Sequence, residues 1–203
     1  MDTTMSVESL PSIRATRPAA VSRMRERALV RDAARGSEQA LAELFRRHWR
    51  PAYRAAYLVV HDANAAEDIA QEAFLSAVRA LDRFDRRRPF GPWIHRIVVN
   101  RAIDWVRARK LRAEVSTELV AEEGADDEWT ASGRPSSRPY SDSVVEALQA
   151  LSPEHRAVVV LRHLLEYTPG EIAAMLELPR GTVNSRLRRG LDHLNRQLGE
   201  EAP

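Results

Sequence analysis

Within ten residues near the C-terminus stand Arg180, Thr182, Asn184, Ser185, Arg186, Arg188 and Arg189. These side chains suit the edges of base pairs: Arg pairs with guanine, Asn with adenine, Thr meets the thymine methyl, and all can hold phosphates. A second group is basic and aromatic. Phe84-Asp85-Arg86-Arg87-Arg88-Pro89-Phe90 is followed by Trp93, Arg96, Asn100, Asp104, Trp105 and Arg107. Aromatic residues interleaved with Arg make a site where unpaired bases stack while phosphates are neutralised. In the third group, Glu67, Asp68, Gln71, Glu72 and Leu75 put acids, an amide and an exposed apolar side chain together. Such a face is either merely solvated or built to dock on a basic partner helix, and periodicity leaves the two open.

Bond-making chemistry is poorly represented. There is no glycine-rich phosphate loop, no nucleophile with a partnered base at recognisable spacing and no metal cluster, so no catalytic residue, metal ligand or cofactor is assigned. The six histidines, at 48, 61, 95, 155, 163 and 193, form no His-Glu-x-x-His pair and read as surface or capping residues. The absence of cysteine excludes disulfides and thiolate metal sites. No apolar run reaches membrane length and the N-terminus lacks a signal-peptide core, so a cytoplasmic protein without membrane insertion is expected. The net charge of the 203 residues is only +2, so nucleic-acid affinity must come from local segregation of charge. Between Arg79 and Arg112 eleven Arg or Lys face three acids; between Glu114 and Asp142 eight acids face two Arg.

The elements that position these groups are helices. Thr168, Pro169 and Glu171 form a helix start, with a hydroxyl cap, a proline in the first turn and a carboxylate reaching back. Ile172, Ala173 and Leu176 give that helix one apolar face, and Leu178-Pro179 ends it. Pro179 then serves as the first residue of a second helix with the spine Val183, Leu187, Leu191, Leu194 and Leu198. Two helices joined by so tight a turn, the second with a basic polar face, form the pattern of a DNA-binding helix-turn-helix, preferred here over a plain helical hairpin.

Earlier in the chain, residues 1–27 read as a disordered leader. Ser37 caps a helix with Leu41, Leu44, Phe45, His48 and Trp49 on its apolar face, and Pro51 starts the next. Asp62 or Asn64 caps a helix from Ala65 to Leu81 that buries Ile69, Ala73, Phe74, Ala77 and Val78. Trp93 to Lys110 forms another, with Trp93 in its apolar stripe and Trp105 on the outer surface. The stretch after Leu111 turns acidic, then rich in Ser, Pro and Gly, as a flexible linker does. Asp142 or Ser143 caps the next helix. The expected architecture is all-α: a domain over 28–111, an acidic linker over 112–142 and a helix-turn-helix domain over 143–198.

Three motifs in this order resemble a bacterial RNA polymerase sigma factor of the sigma-70 family, extracytoplasmic-function (ECF) group: Ala66-Glu-Asp-Ile-Ala-Gln-Glu-Ala-Phe-Leu, Trp93-Ile-His-Arg-Ile-Val-Val-Asn-Arg-Ala-Ile-Asp-Trp, and Gly170-Glu-Ile-Ala with Gly181-Thr-Val-Asn-Ser-Arg-Leu. The resemblance covers roughly Ser37 to Leu198. It implies a region 2 and a region 4 domain, and a function in promoter-specific initiation with assistance in melting. Its implied partners are bacterial core RNA polymerase (clamp helices and flap), promoter DNA as duplex and as melted single strand, and an anti-sigma factor as a further candidate. Asp68, Gln71, Glu72 and Leu75 would then bind core polymerase. Arg86, Arg87, Arg88, Phe90, Arg96, Asn100, Asp104 and Arg107 would bind the minus-10 element, and the seven residues from Arg180 to Arg189 the minus-35 element. The leader is longer than the family usually has, and Asn184 stands where many members carry Lys, which implies a different promoter preference. The rival reading is a homodimeric helix-turn-helix regulator. It explains residues 143 to 198 but gives no task to the basic aromatic loop or the acidic face.

Overall fold

A computed structural model describes residues 20–119 and 141–200, and every regular element among them is an α-helix. In chain order these are α1 (Ala20–Ala33), α2 (Glu38–Val60), α3 (Ala63–Arg79), α4 (Phe90–Leu119), α5 (Asp142–Gln149), α6 (Pro153–His163), α7 (Pro169–Leu176) and α8 (Arg180–Glu200).

Helix starts follow local chemistry. Ser37 Oγ accepts from the Ala40 N–H at 3.3 Å, and Asp62 Oδ1 accepts from the Ala65 N–H at 2.9 Å, so Asp62 rather than Asn64 is the cap of α3. At α7 the reciprocal capping box forms: Thr168 Oγ1 accepts from the Glu171 N–H, while Glu171 Oε2 accepts from the Thr168 N–H. Pro179 flanks α8 instead of opening it, its carbonyl accepting from the Thr182 and Val183 N–H groups.

Other boundaries differ from expectation as well. The helix runs straight through Pro51, because Ala52, Ala55 and Ala56 just beyond it are fully buried and their packing outweighs the one hydrogen bond a proline removes. Helix α1 begins at Ala20, inside the stretch expected to be an unordered leader; Val30 plugs it into the core and Glu26 holds His48 at 2.8 Å. Helix α4 continues to Leu119, eight residues into the expected linker. The cap of α5 is Ser141, not Asp142 or Ser143. The acidic segment at 120–140 lies outside the described residues.

Helices α1 to α4 pack around Leu44, Val59, Ile94, Val98 and Val99, and α5 to α8 around Val158, Leu161, Ile172 and Val183. Helix α6 crosses α8 so closely that a Cβ on Gly190 would lie 2.9 Å from Val159 Cγ2. The two groups are docked: α2 and α4 lie against α5, α6 and α7, and one continuous apolar cluster runs through both.

Candidate nucleic-acid interface

The helix-turn-helix is built as its sequence requires. Val183, Leu187 and Leu194 are buried against α6 and α7, which turns the rest of α8 outward. Asn184, Arg188 and Arg189 are exposed at the surface, as is Arg180 at the helix start. Thr182, Ser185 and Arg186 are half-buried, and the Ser185 hydroxyl donates to the Thr182 carbonyl at 2.9 Å. Arg186 and Arg189 stand near His155 of α6; burial first, and then these two charges, hold that imidazole below its usual pKa. Among the described residues none of the four arginines of this face has a carboxylate partner, so their donors are available to an anion.

On α3 the acidic face is present. Asp68 and Gln71 are exposed, while Glu72 is tied to Arg101 of α4 at 2.6 Å. Leu75 is 56% exposed, and two neighbours expected in the core join it: Val78 is 41% exposed and Phe45 39%. Phe45 lies outside Trp49 and Phe74, its ring stacked on the first with centroids 4.7 Å apart and tilted 59° to the second at 5.0 Å. Acids beside a small apolar patch are thus the character of this surface.

The loop between α3 and α4 divides by chemistry. Arg86, Arg87 and Arg88 are exposed, with the Arg87 carbonyl accepting from Arg27 of α1 at 3.3 Å and the Arg87 N–H bonded to Asp85. Phe90, expected among the nucleic-acid contacts, is a correction: it is 3% exposed and packs against Phe84, Trp93 and His48. The physical reason is register. Phe90, Ile94 and Val98 lie four residues apart on one face, so Phe90 extends the buried stripe of α4 by a turn. Trp105 is also not free for a base. It packs on the core and carries the Arg109 guanidinium 5.2 Å above its ring.

Arg96, Asn100, Asp104 and Arg107 share one side of α4, and the structure sets that side toward the C-terminal helices. Arg96 donates to Glu177 at 2.6 Å, and Arg107 to Glu154 at 2.6 Å; Asp104 is exposed, 3.8 Å from Arg107. His95, expected at the surface, is buried with Nδ1 2.7 Å from the Tyr167 hydroxyl. Burial, with a smaller push from His48, lowers its pKa to about 3, and burial likewise raises the Tyr167 hydroxyl.

One further residue went unnoticed in the sequence. Arg156 is 6% exposed and its guanidinium donates to four carbonyls: Leu148 at 2.8 Å, Gln149 at 2.7 Å, Leu151 at 2.9 Å and Val59 at the end of α2. It caps the C-termini of α5 and α2 at once, placing a cation where both helix dipoles are negative. The available signal was an arginine four residues before Val160, on the core face of α6.

Comparison with known proteins agrees with this geometry. Residues 44–112 match Sigma-70 region 2 and residues 141–194 match Sigma-70, region 4. The ECF RNA polymerase sigma factor SigW of Bacillus subtilis is 31% identical over 176 residues, which cover 83% of this chain and 94% of that protein. The chain belongs to the ECF group of the sigma-70 family. A second ECF relative, SigM of Mycobacterium tuberculosis, is 35% identical over 164 residues, covering 81% of this chain and 80% of SigM. Among solved structures, CnrH in complex with the cytosolic domain of CnrY superposes with a TM-score of 0.65 at 28% identity, covering 87% of this chain and 99% of that one. The sigma factor RpoE of Bartonella quintana, bound to the anti-sigma factor NepR, shares the fold at a TM-score of 0.61 and 19% identity, over 79% of this chain and 98% of that one. Helix α1 of this sigma factor precedes the matched region 2, yet it contacts the basic loop through Arg27. No described helix is long and apolar enough to cross a membrane, and no described cluster of three acids or histidines could hold a metal.

Proposed function

We propose that this ECF sigma factor binds core RNA polymerase and directs promoter-specific initiation, with its tasks divided among the three surfaces. The α3 face, with Asp68, Gln71, Glu72 and Leu75, docks on the polymerase clamp helices, and Phe45 and Val78 widen its apolar part. Arg86, Arg87 and Arg88 with the α4 stripe take the minus-10 element and its melted strand. Phe90 acts from inside, holding the loop. Arg180, Thr182, Asn184, Arg186, Arg188 and Arg189 engage the minus-35 duplex, where a good bidentate base contact is worth about 1–3 kcal/mol; Ser185 contributes through its position more than through its committed hydroxyl.

The observation that carries this reading is the coexistence, in one chain, of unpaired arginines on α8 and an acid-rimmed apolar face on α3. A homodimeric regulator has use for the first surface and none for the second. The protein works by binding alone, in the cytoplasm, while polymerase supplies the catalysis. An anti-sigma factor is a fitting further partner; RpoE of Bartonella quintana was solved with the anti-sigma factor NepR, and CnrH with the cytosolic domain of CnrY.

Run-off transcription from a promoter library, with core polymerase alone, with the protein, and with Leu75→Asp, tests this. New start sites that require the protein and vanish with Leu75→Asp are expected. Duplex binding by the protein alone, with no new start sites in the presence of polymerase, would overturn the reading in favour of the regulator.

A further inference from the structure

Helix α1 lies ahead of the stretch that matches region 2, and two adjacent residues on it serve different neighbours. Successive residues of a helix point about 100° apart. Glu26 accordingly turns to His48 at 2.8 Å, while the exposed Arg27 reaches the loop between α3 and α4 and donates through Nη2 to the Arg87 carbonyl at 3.3 Å. Val30, 2% exposed, pins the helix to the core. Between helix and loop runs a narrow cleft with the buried Val30, Phe84 and Phe90 at its floor and the exposed Arg27, Arg86 and Arg88 at its rim. Glu26, the acid that also lines it, is committed to His48, and Asp85 comes no closer to Arg88 than 3.9 Å. Among the described residues neither Arg27 nor Arg86 has a carboxylate partner. Three cations thus converge on one cleft with a single long ion pair to offset them, and an anion between them would relieve their mutual repulsion.

We propose that α1 is part of the strand-binding surface: Arg27, held ready by the Arg87 carbonyl, grips a backbone phosphate of the melted strand together with Arg86. A guanidinium has five donors and the carbonyl takes one, so a fork remains for phosphate oxygens. The same carbonyl bond restricts a long side chain before the strand arrives, which lowers the cost of ordering it on contact. With a volume of about 10 Å³ the cleft admits a water molecule and no base. The contact is therefore to the backbone and indifferent to sequence, and it sets where the strand lies rather than which strand is chosen. The proposal rests on the assignment of Arg86, Arg87 and Arg88 to the melted minus-10 strand.

The test uses the full chain and a fluorescent single-stranded 20-mer of random sequence, titrated over a range of salt concentrations. Arg27→Gln should weaken binding about fivefold at about 0.1 M salt and lower the slope of log affinity against log salt by about 0.7, the counterion release of one single-strand contact. Arg27→Lys keeps the charge and should keep the slope. Arg25→Gln removes the same charge from an exposed site about 200° round the same helix and should change neither quantity. Equal losses at Arg25 and Arg27 would overturn the site, because the helix would then act only through its overall field. A loss with Arg27→Gln at unchanged slope would overturn the phosphate contact and leave the side chain as a tether for the loop. An equal loss on the matching duplex would overturn the choice of the melted strand. Arg86→Gln separates the two assignments: a loss there with none at Arg27 would remove α1 alone from the surface, whereas no loss at either would overturn the loop assignment as well.

Discussion

Arg156→Met is the sharpest test of how the C-terminal helices are held. The guanidinium serves four carbonyls, and Leu148 O among them also accepts from the Leu151 N–H at 3.1 Å. Hydrogen bonds to a charged group are worth about 1.5–3 kcal/mol each, which sets a gross value of about 6–12 kcal/mol. Against this stands the burial of the cation, visible in a pKa drawn by burial from 12.5 down to about 10, equivalent to about 3 kcal/mol. Methionine fills much of the volume and needs no hydration, but the backbone carbonyls remain and only some can be rehydrated. The expected loss is about 3–5 kcal/mol. Arg156→Lys should recover part of it, because one ammonium cannot reach acceptors spread over two helix ends. Urea unfolding followed by circular dichroism measures both, with the m-value confirming that the same surface unfolds. Stability within 1 kcal/mol of the parent for Arg156→Met, or full recovery with lysine, would refute the double cap.

Three further outcomes follow from the packing and the buried imidazoles. Gly190→Ala should cost about 1–2 kcal/mol despite the better helix propensity of alanine, since its methyl would meet the stiff Val159 side chain at 2.9 Å; combining it with Val159→Ala should cost less than the sum of the two, by thermal melting. Thr168→Ala should remove about 1 kcal/mol by unmaking the capping box, read in the same melts. His95 and His61 are held neutral mainly by burial, at about 3 and about 4 instead of 6.5. Above pH 6.5 neither folded nor unfolded chain protonates them and stability is full; as pH falls below that, only the unfolded chain takes up the protons and stability declines until the folded values are reached. At pH 5 this amounts to about 2 kcal/mol per histidine, or a melting temperature lower by on the order of 10 °C, and His95→Gln with His61→Gln should flatten the profile.

Local chemistry was legible in the sequence and long-range chemistry was not. Ser37, Asp62 and the Thr168–Glu171 pair act on their own N–H groups within three residues, so sequence spacing contains all the information their helix starts need. The outward face of α8 follows from the period of Val183, Leu187 and Leu194 for the same reason. Phe90 was misjudged because its neighbours in sequence are arginines and prolines, whereas its neighbours in space are Phe84, Trp93 and His48. Phe45 and Val78 show the converse: helical period marks a side chain as apolar-facing but cannot say when the core is already full. Pro51 marks a helix start in the sequence because a proline's local cost is visible there and the packing that offsets it is not. The partners of Arg96, His95 and Arg107, and the Val59 carbonyl that Arg156 reaches, lie 81, 72, 47 and 97 residues away, beyond the reach of any window along the chain.

Glu177 ends α7 with φ of 55°, a left-handed conformation that glycine or asparagine adopts more easily. The turn of the helix-turn-helix alone would therefore be better served by glycine, by about 1 kcal/mol of backbone relief. Only the carboxylate, through its reach to Arg96, gives a reason for glutamate at this position. Local comfort and long-range contact thus pull in opposite directions at a single codon, and Glu177→Gly should firm up the recognition domain while removing one ion pair from its seat against α4.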